Sequence, residues 1–116
     1  MKLLWHVVAL VALLGAFASA QDAPKKITRS EALSAVTTMV QPEYPPVARQ
    51  LKIQGTVELE AVVAENGSVA KVEIVSGNPV LTAPAAECVK RWKFKPFTED
   101  GKPIRVVAPI TLNFKL

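Results

Sequence analysis

The stretch QPEYPPVARQLKIQG, residues 41–55, decides how this chain begins to fold. Pro45 and Pro46 each fix φ near −65° and bias the preceding residue toward extended geometry. A proline in the first helical turn costs no hydrogen bond, because its missing N–H would have no partner there. We therefore predict an extended lead-in and then a short amphipathic helix from Pro46 to Ile53, ended by Gly55. The inward residues of this helix are expected to be Val47, Ala48 and Leu51.

A β-hairpin is predicted next. Residues 56–63 alternate between apolar and polar side chains, which is typical of a half-buried strand. Asn66-Gly67 is a strong hairpin signal, since both residues accept positive φ. With those two residues as the loop, the expected inward pairs are Val63 with Ala70, Ala61 with Val72 and Leu59 with Ile74. Glu60 would then face Glu73, a like-charge contact that the diagonal Lys71 can relieve.

A second helix and a long final strand complete the pattern. Thr82 is predicted to cap this helix, and Pro84 is tolerated in its first turn. Apolar residues recur at helical spacing as Leu81, Ala85, Cys88, Val89 and Trp92. Asp100-Gly101 predicts a turn. The last strand is predicted over residues 104–116, with its even-numbered residues from Val106 to Leu116 forming the apolar face.

Several short motifs follow one another in a fixed order along residues 41–116. They are P-x-Y-P-P-x-A-x-x-x-x-I-x-G-x-V from Pro42, S-G-x-P-x-L from Ser76, AAECVKRWKFKP over residues 85–96, and G-K-P-I from Gly101. In this order they resemble the TonB C-terminal domain family, the periplasmic tip of bacterial energy transducers. Each motif is weak by itself, but their ordered combination is specific.

Pattern and resemblance together predict an α+β fold. Because the second helix carries the chain back, the last strand runs antiparallel to the first and pairs with its free edge. We predict a small three-stranded antiparallel sheet in the order 2-1-3, with two helices on one face. The last strand would lie exposed at an edge. Pro109 fits that location, since proline in a sheet is mostly confined to edges and bulges.

The first residues have the pattern of a secretory signal peptide. Lys2 precedes an apolar run of 15 residues, 3–17, and Ala18-Ser19-Ala20 forms an A-x-A cleavage site. The run is shorter than the roughly 20 residues that span a bilayer comfortably. We assign residues 1–20 to a signal peptide or, alternatively, a short membrane anchor, residues 21–40 to a linker or N-terminal extension, and residues 41–116 to the domain. Cleavage would give a periplasmic protein, whereas an uncleaved leader would hold the domain at the inner membrane, facing the periplasm.

The residue inventory points to no catalytic or metal-binding centre. The only histidine, His6, lies in the predicted leader, so the mature chain would lack Ser–His, Cys–His and histidine-based metal sites. The only cysteine, Cys88, lies on an apolar helix face, which favours a small buried residue over an intermolecular disulfide. The formal net charge of +4 says little about partners. The run KRWKFKPF, residues 90–97, is assigned to core aromatics beside solvated lysines and not to nucleic-acid binding. We predict no enzyme activity, no cofactor and no metal.

The resemblance implies a binding module. In the family, the edge of the last strand takes up the TonB box, a short extended segment of a TonB-dependent outer-membrane receptor, by strand addition. Main-chain bonds supply affinity in this mode, and side chains supply selection. The residues that match the family's motif beside the captured segment are Gln41, Pro42, Tyr44 and Pro45, whose alternative role is a rigid lead-in packed on the sheet. The docking edge is expected at Ile110, Thr111, Leu112, Asn113, Phe114, Lys115 and Leu116.

The chain departs from the family's plan in two respects. Transducers of this family carry an uncleaved membrane helix and a long proline-rich spacer. In this chain the leader has a cleavage site, and Pro24 is the single proline among residues 21–40. These departures concern force transmission and leave partner binding unaffected. The alternative function is a self-associating structural or scaffold protein of the envelope, such as a homodimer, that uses the same edge.

N-terminal sequencing of the protein isolated from its native envelope tests the leader assignment. Because the A-x-A site ends at Ala20, we expect the mature chain to begin at Gln21. An intact Met1 would contradict cleavage and favour the membrane anchor.

Overall fold

The structure, a computed structural model, describes residues 23–116. The predicted signal peptide or anchor, residues 1–20, lies outside the described part. In chain order the elements are β1 (Lys25–Lys26), α1 (Arg29–Ala35), β2 (Val36–Thr38), α2 (Pro46–Gln50), β3 (Gly55–Val63), β4 (Val69–Ser76), α3 (Pro79–Lys90), β5 (Lys93–Phe94), β6 (Phe97–Glu99), β7 (Lys102–Ile104) and β8 (Val106–Phe114). Helices and strands are mixed along the chain, and the predicted α+β class is confirmed.

The main sheet has four strands in the order β1-β8-β3-β4, so the prediction of a three-stranded sheet is wrong. The long strands β4, β3 and β8 are antiparallel neighbours. The additional strand, β1, pairs parallel with the start of β8, with Lys25 beside Val106 and Lys26 beside Val107. Two lysines carry no hydrophobic alternation, so no sequence pattern indicated this strand. Two short ladders, β2-β5 and β6-β7, lie outside the main sheet.

Three helices accompany the sheet within residues 23–116, one more than predicted. α3 contacts β3 and β4, α1 contacts β8, and α2 contacts α3. The sheet buries one face against this layer through alternate residues of β3 and β8, namely Val57, Leu59, Ala61, Val63, Val106, Ala108, Ile110, Leu112 and Phe114. The predicted apolar face of the last strand is thereby confirmed as far as Phe114, whereas Leu116 lies beyond the strand and is exposed.

The β3–β4 hairpin keeps most of its predicted register. The pairs Ala61 with Val72, Leu59 with Ile74 and Glu60 with Glu73 are confirmed. The turn differs, because three residues, 65–67, are enclosed by a hydrogen bond between Ala64 and Ser68, with Gly67 at a φ of +90°. A bulge at Ala70 compensates for the extra turn residue. Val63 consequently pairs with Val69 and not with Ala70.

α2 is shorter than predicted. It ends at Gln50, because Lys52 takes a left-handed φ of +54°. The amides of Lys52 and Ile53 donate to carbonyls within the helix, which closes it with a Schellman motif. Gly55 therefore begins β3 and does not end the helix.

The inward face predicted for α2 is also wrong in part. Ala48 is fully buried, whereas Val47 and Leu51 are 50% and 66% exposed. A five-residue helix is little more than one turn, so it covers the core with one small side chain and leaves the larger two outside.

α3 begins earlier than predicted. Its first residue is Pro79, and Asn78, not Thr82, is the cap: Asn78 Oδ1 accepts a hydrogen bond from the amide of Val80 at 2.9 Å. Pro84 therefore lies inside the helix. The predicted inward residues are all buried, namely Leu81, Ala85, Cys88, Val89 and, just beyond the helix, Trp92.

One backbone carbonyl ties the end of the N-terminal segment to α3. The oxygen of Val40 accepts a hydrogen bond from Trp92 Nε1 at 3.0 Å and another from Cys88 Sγ at 2.8 Å. Trp92 thus satisfies its only polar atom while its ring fills the core. Burial raises the pKa of the Cys88 thiol, which keeps it protonated and unreactive at neutral pH.

Residues 23–40, which the sequence assigns to a linker or extension, contain β1, α1 and β2. Thr28 caps α1, because its Oγ1 accepts a hydrogen bond from the amide of Glu31 at 3.1 Å. Ala32 of α1 is buried in the core, and β2 pairs antiparallel with β5. This segment therefore packs on the sheet.

The final strand predicted over residues 104–116 is β8, which is shorter and covers Val106–Phe114, whereas Ile104 belongs to the preceding strand β7. β7 forms a hairpin with β6 through Asp100-Gly101, both at positive φ, as the turn signal predicts. β8 follows and pairs with β3 without irregularity, from Val106 beside Val63 to Phe114 beside Gly55.

Replacement of Trp92 by alanine is expected to destabilise the domain by about 3–5 kcal/mol, because it removes a buried ring and leaves a cavity. Denaturant unfolding followed by circular dichroism measures the loss. Lys93→Ala, at the exposed neighbouring residue, is the matched control and should change stability by no more than about 0.5 kcal/mol. Equal unfolding midpoints for the wild type and Trp92→Ala would contradict a core role for the indole.

Candidate strand-docking edge

The outer edge of β8 is defined by the backbone groups that point away from β3. The amides of Lys25 and Ile27 donate to the carbonyl oxygens of Arg105 and Val107, at 3.0 and 3.1 Å. Backbone groups alternate sides along a strand, so odd-numbered residues here direct N–H and C=O outward and even-numbered residues direct theirs toward β3. The next outward residues are Pro109, Thr111 and Asn113.

Pro109 divides this edge into two parts. The next bond of the parallel β1–β8 ladder would run from the amide of residue 109, and proline has no amide hydrogen to donate. The first part, residues 105–107, is occupied by β1. From Pro109 onward, β8 pairs only with β3 among the elements of residues 23–116. The open part of the edge therefore begins where the proline ends the ladder.

The open part presents mainly backbone. Thr111 and Asn113 are exposed, and Asn113 Oδ1 accepts a hydrogen bond from Thr56 Oγ1 on β3 at 3.0 Å. The even-numbered members of the predicted docking set are core residues whose backbone faces β3, namely Ile110, Leu112 and Phe114. Among the docking residues predicted within β8, the odd-numbered ones are accessible.

The chain beyond β8 is also exposed. Lys115 and Leu116 have no regular structure, and the amide of Leu116 donates to Gln54 Oε1 at 2.9 Å. This bond holds the end of the chain beside the start of β3.

The lead-in, residues 41–45, reaches the final strand through Tyr44. The Tyr44 ring packs edge-on against Phe114, with ring centroids 5.7 Å apart and an interplanar angle of 78°. Its hydroxyl donates to the carbonyl of Ile53, and the Arg49 guanidinium lies 5.7 Å from the ring centroid. Tyr44 is therefore fixed by a ring contact, a hydrogen bond and a cation–π contact.

The other lead-in residues are less enclosed. Gln41 is exposed, whereas Pro42 and Pro45 are half-buried. Pro45 lines an apolar cleft of about 530 Å³ between the start of α2 and α3, together with Glu43, Pro46, Val47, Val80 and Pro84. No sequence pattern indicated this cleft, because helical spacing placed Val47 in the core.

The chemistry available at this edge is that of hydrogen bonding and packing. Within the described residues, no three His, Cys, Asp or Glu side chains come close enough to hold a metal ion. No helix of residues 23–116 has the length and hydropathy needed to cross a membrane. Every buried side-chain nitrogen or oxygen in this part of the chain has a hydrogen-bond partner.

Comparison with known proteins gives consistent matches. Residues 40–116 match the family model described as Gram-negative bacterial TonB protein C-terminal. The chain is 39% identical over 83 residues to Protein TonB of Vibrio cholerae serotype O1, a match that covers 70% of this chain and 34% of that protein. It is 34% identical over 77 residues to Protein tonB2 of Pseudomonas aeruginosa, covering 65% of this chain and 28% of that protein. The chain thus spans about a third of the length of the curated relatives it matches.

A solved structure has the same fold. The solution NMR structure of the Pseudomonas aeruginosa TonB CTD matches with a TM-score of 0.59, covering 70% of this chain and 84% of that one. The identity in this comparison is 22%, so it bears on the fold alone. The matched family residues begin at Val40, which leaves β1, α1 and β2 on the N-terminal side of the match.

Replacement of Tyr44 by phenylalanine tests how firmly the lead-in is fixed. The change keeps the ring contact with Phe114 and removes the hydroxyl donor, so we expect a loss of about 1 kcal/mol in the free energy of unfolding. Tyr44→Ala removes the ring contact as well and should cost more. Denaturant unfolding of both variants measures the two losses. Wild-type stability in both variants would show that Tyr44 does not anchor the lead-in.

Proposed function

This chain belongs to the family of Gram-negative bacterial TonB C-terminal domains, and from that premise we propose that it is a periplasmic binding module without catalytic activity. It captures a short extended segment of a TonB-dependent outer-membrane receptor and takes part in energy-coupled transport. The observation that carries the proposal is the open edge of β8 beyond Pro109.

Strand addition suits this edge because its unpaired groups are on the main chain. An exposed edge strand is either protected or able to accept another strand. Thr111 and Asn113 each offer an outward amide and an outward carbonyl, and Pro109 offers a carbonyl. A docked strand would bond to these groups irrespective of its own sequence. Paired strands advance together, so a segment that matches residues 109–113 is about five residues long.

Side chains beside the edge would supply selection. Alternate side chains of a docked strand point to the two faces of the sheet. On the open face they would meet Thr111 and Asn113, which are uncharged. On the helix-facing side they would approach Phe114 and Tyr44, which are in contact with each other. This environment favours an uncharged segment with apolar residues on one side.

Replacement of Thr111 by proline should impair capture and spare the fold. The Thr111 amide points away from β3, so its loss removes one docking bond and no bond of the sheet. We expect the variant to bind a receptor-derived peptide about tenfold more weakly, as the loss of one hydrogen bond implies. Thr111→Ala keeps the amide and is the matched control, expected to bind like the wild type. Isothermal titration measures binding, and circular dichroism checks the fold.

Two outcomes would contradict the proposal. If folded Thr111→Pro bound the peptide like the wild type, β8 would not be the docking edge, and the lead-in at Gln41–Pro46 would become the better candidate. If a pull-down from envelope extract recovered only copies of this chain or cell-wall partners, and Thr111→Pro abolished that recovery, the β8 edge would serve self-association. Recovery of TonB-dependent receptors by the wild type, and not by Thr111→Pro, supports the proposal.

A further inference from the structure

The opposite edge of the sheet, β4, is open as well. β4 pairs with β3 on one side, and no strand of residues 23–116 pairs with its other side. Even-numbered residues of β8 direct their backbone N–H and C=O groups to β3, where their partners are odd-numbered. The even-numbered residues of β3 therefore direct their backbone groups to β4. In the regular part of the ladder, Glu60 pairs with Glu73 and Val62 pairs with Lys71. It follows that Val72 and Ile74 direct their backbone groups to the free edge.

Beside this edge, the face of the sheet that is turned away from the helices carries two opposite charges. Lys71 and Glu73 lie on it, because Val72 between them faces the helices. Lys71 Nζ is 2.7 Å from Glu73 Oε1, and both side chains are more than half exposed. This ion pair relieves the contact between Glu73 and Glu60, as the sequence predicts. The hydrogen bond and charge of each partner raise the pKa of Lys71 and lower the pKa of Glu73, so both are charged at neutral pH.

We propose that β4 is a dimer interface whose occupant is a second copy of this chain. The two β4 strands run antiparallel about a two-fold axis through Val72. Val72 then pairs with Val72 of the second copy, and Ile74 lies opposite the bulge at Ala70 of the second copy. Lys71 of each copy lies directly opposite Glu73 of the other.

This register agrees with the backbone. Antiparallel pairs alternate between residues that exchange two hydrogen bonds and residues that exchange none. Val72, whose backbone groups point outward, falls on a hydrogen-bonded pair. Lys71 and the opposing Glu73 fall on a non-hydrogen-bonded pair, where cross-strand side chains come closest. Each of the four charged side chains, Lys71 and Glu73 of both copies, thus has an opposite charge beside it on its own strand and another across the interface.

Charge selects this register over its neighbours. A shift of two residues in one direction places Glu73 opposite Glu73, with Glu60 beside each of them. A shift of two residues in the other direction places Lys71 opposite Lys71. A shift of one residue turns the helix-facing side chains to the open face. Of these registers, only the one centred on Val72 is self-complementary.

The helix-facing side of the interface is apolar. Ile74 is 42% exposed in the single chain, and the small side chain of Ala70 in the second copy leaves room for it. The pairing is short, because the bulge at Ala70 and a second irregularity toward Ser76 bound the regular part of β4. We therefore expect a weak, concentration-dependent dimer.

The β4 interface is independent of the proposed receptor site. It lies at the edge opposite β1 and β8, so the two four-stranded sheets would join into one sheet of eight strands with β1 and the open part of β8 at each end. Dimerisation leaves both of those edges open. Failure of peptide binding at β8 and failure of dimerisation at β4 are therefore separate results.

Charge reversal tests the interface. Lys71→Glu and Glu73→Lys each convert both interchain ion pairs into like-charge pairs, whereas an equimolar mixture of the two variants restores opposite charges. In sedimentation equilibrium of protein purified from cells that produce the full chain, we expect each variant to dimerise about tenfold more weakly than the wild type. The mixture should recover wild-type association, and so should the double variant Lys71→Glu/Glu73→Lys.

Effects on the stability of the fold can be distinguished from effects on dimerisation. Glu73→Lys also removes the like-charge contact with Glu60, so its unfolding midpoint should not fall while its dimer weakens. Added salt should weaken the wild-type dimer, because its charges are exposed. The inference is overturned by a wild type that stays monomeric into the millimolar range, or by a mixture that associates no better than its components. A dimer lost in Thr111→Pro and kept in Glu73→Lys would place the interface at β8 and overturn it equally.

Discussion

The fold depends on the unbroken antiparallel register between β3 and β8. Both strands are nine residues long, and every residue of one pairs with a residue of the other. A slip of one residue would expose the buried side chains of β8 and turn its outward backbone groups toward β3. One register therefore decides both which side chains form the core and which amides remain at the edge. The positions of the helices, the lead-in and both open edges all depend on this β3–β8 register.

The parts that the sequence predicted are those in which side chains repeat with a clear period. β3 and the apolar face of β8 followed from alternation, and the burial of Trp92 and Cys88 followed from helical spacing. β1 could not be predicted, because a strand of two lysines is defined by its backbone bonds to β8 alone. The face of α2 was wrong for a different reason. Lysine seldom adopts positive φ, so nothing in the sequence indicated that the helix would stop before Lys52.

The candidate site was predictable to a similar extent. Tyr44 in the lead-in and Pro109 at the edge both carried local signals, and the structure gives Tyr44 a contact with the end of β8. Periodicity also showed which face of the sheet each side chain takes. It did not show which side of the strand each amide takes, because that depends on the neighbouring strands. For this reason the prediction included Ile110, Leu112 and Phe114, whose backbone groups are already paired with β3.

The location of β1 has a mechanical consequence. A segment docked beyond Pro109 would lie end to end with β1 along the same strand, so a pull on the N-terminal chain and an opposing pull on the segment would meet in β8. The load would pass along the backbone of β8 from one ladder to the other, while the β8–β3 pairs hold β8 in the sheet. β1 itself is attached to β8 by a two-residue ladder, and the exposed Lys25–Glu99 ion pair of 3.3 Å adds little to it. Under tension β1 would detach from β8 first. The N-terminal chain would then become longer while the segment stays bound to β8.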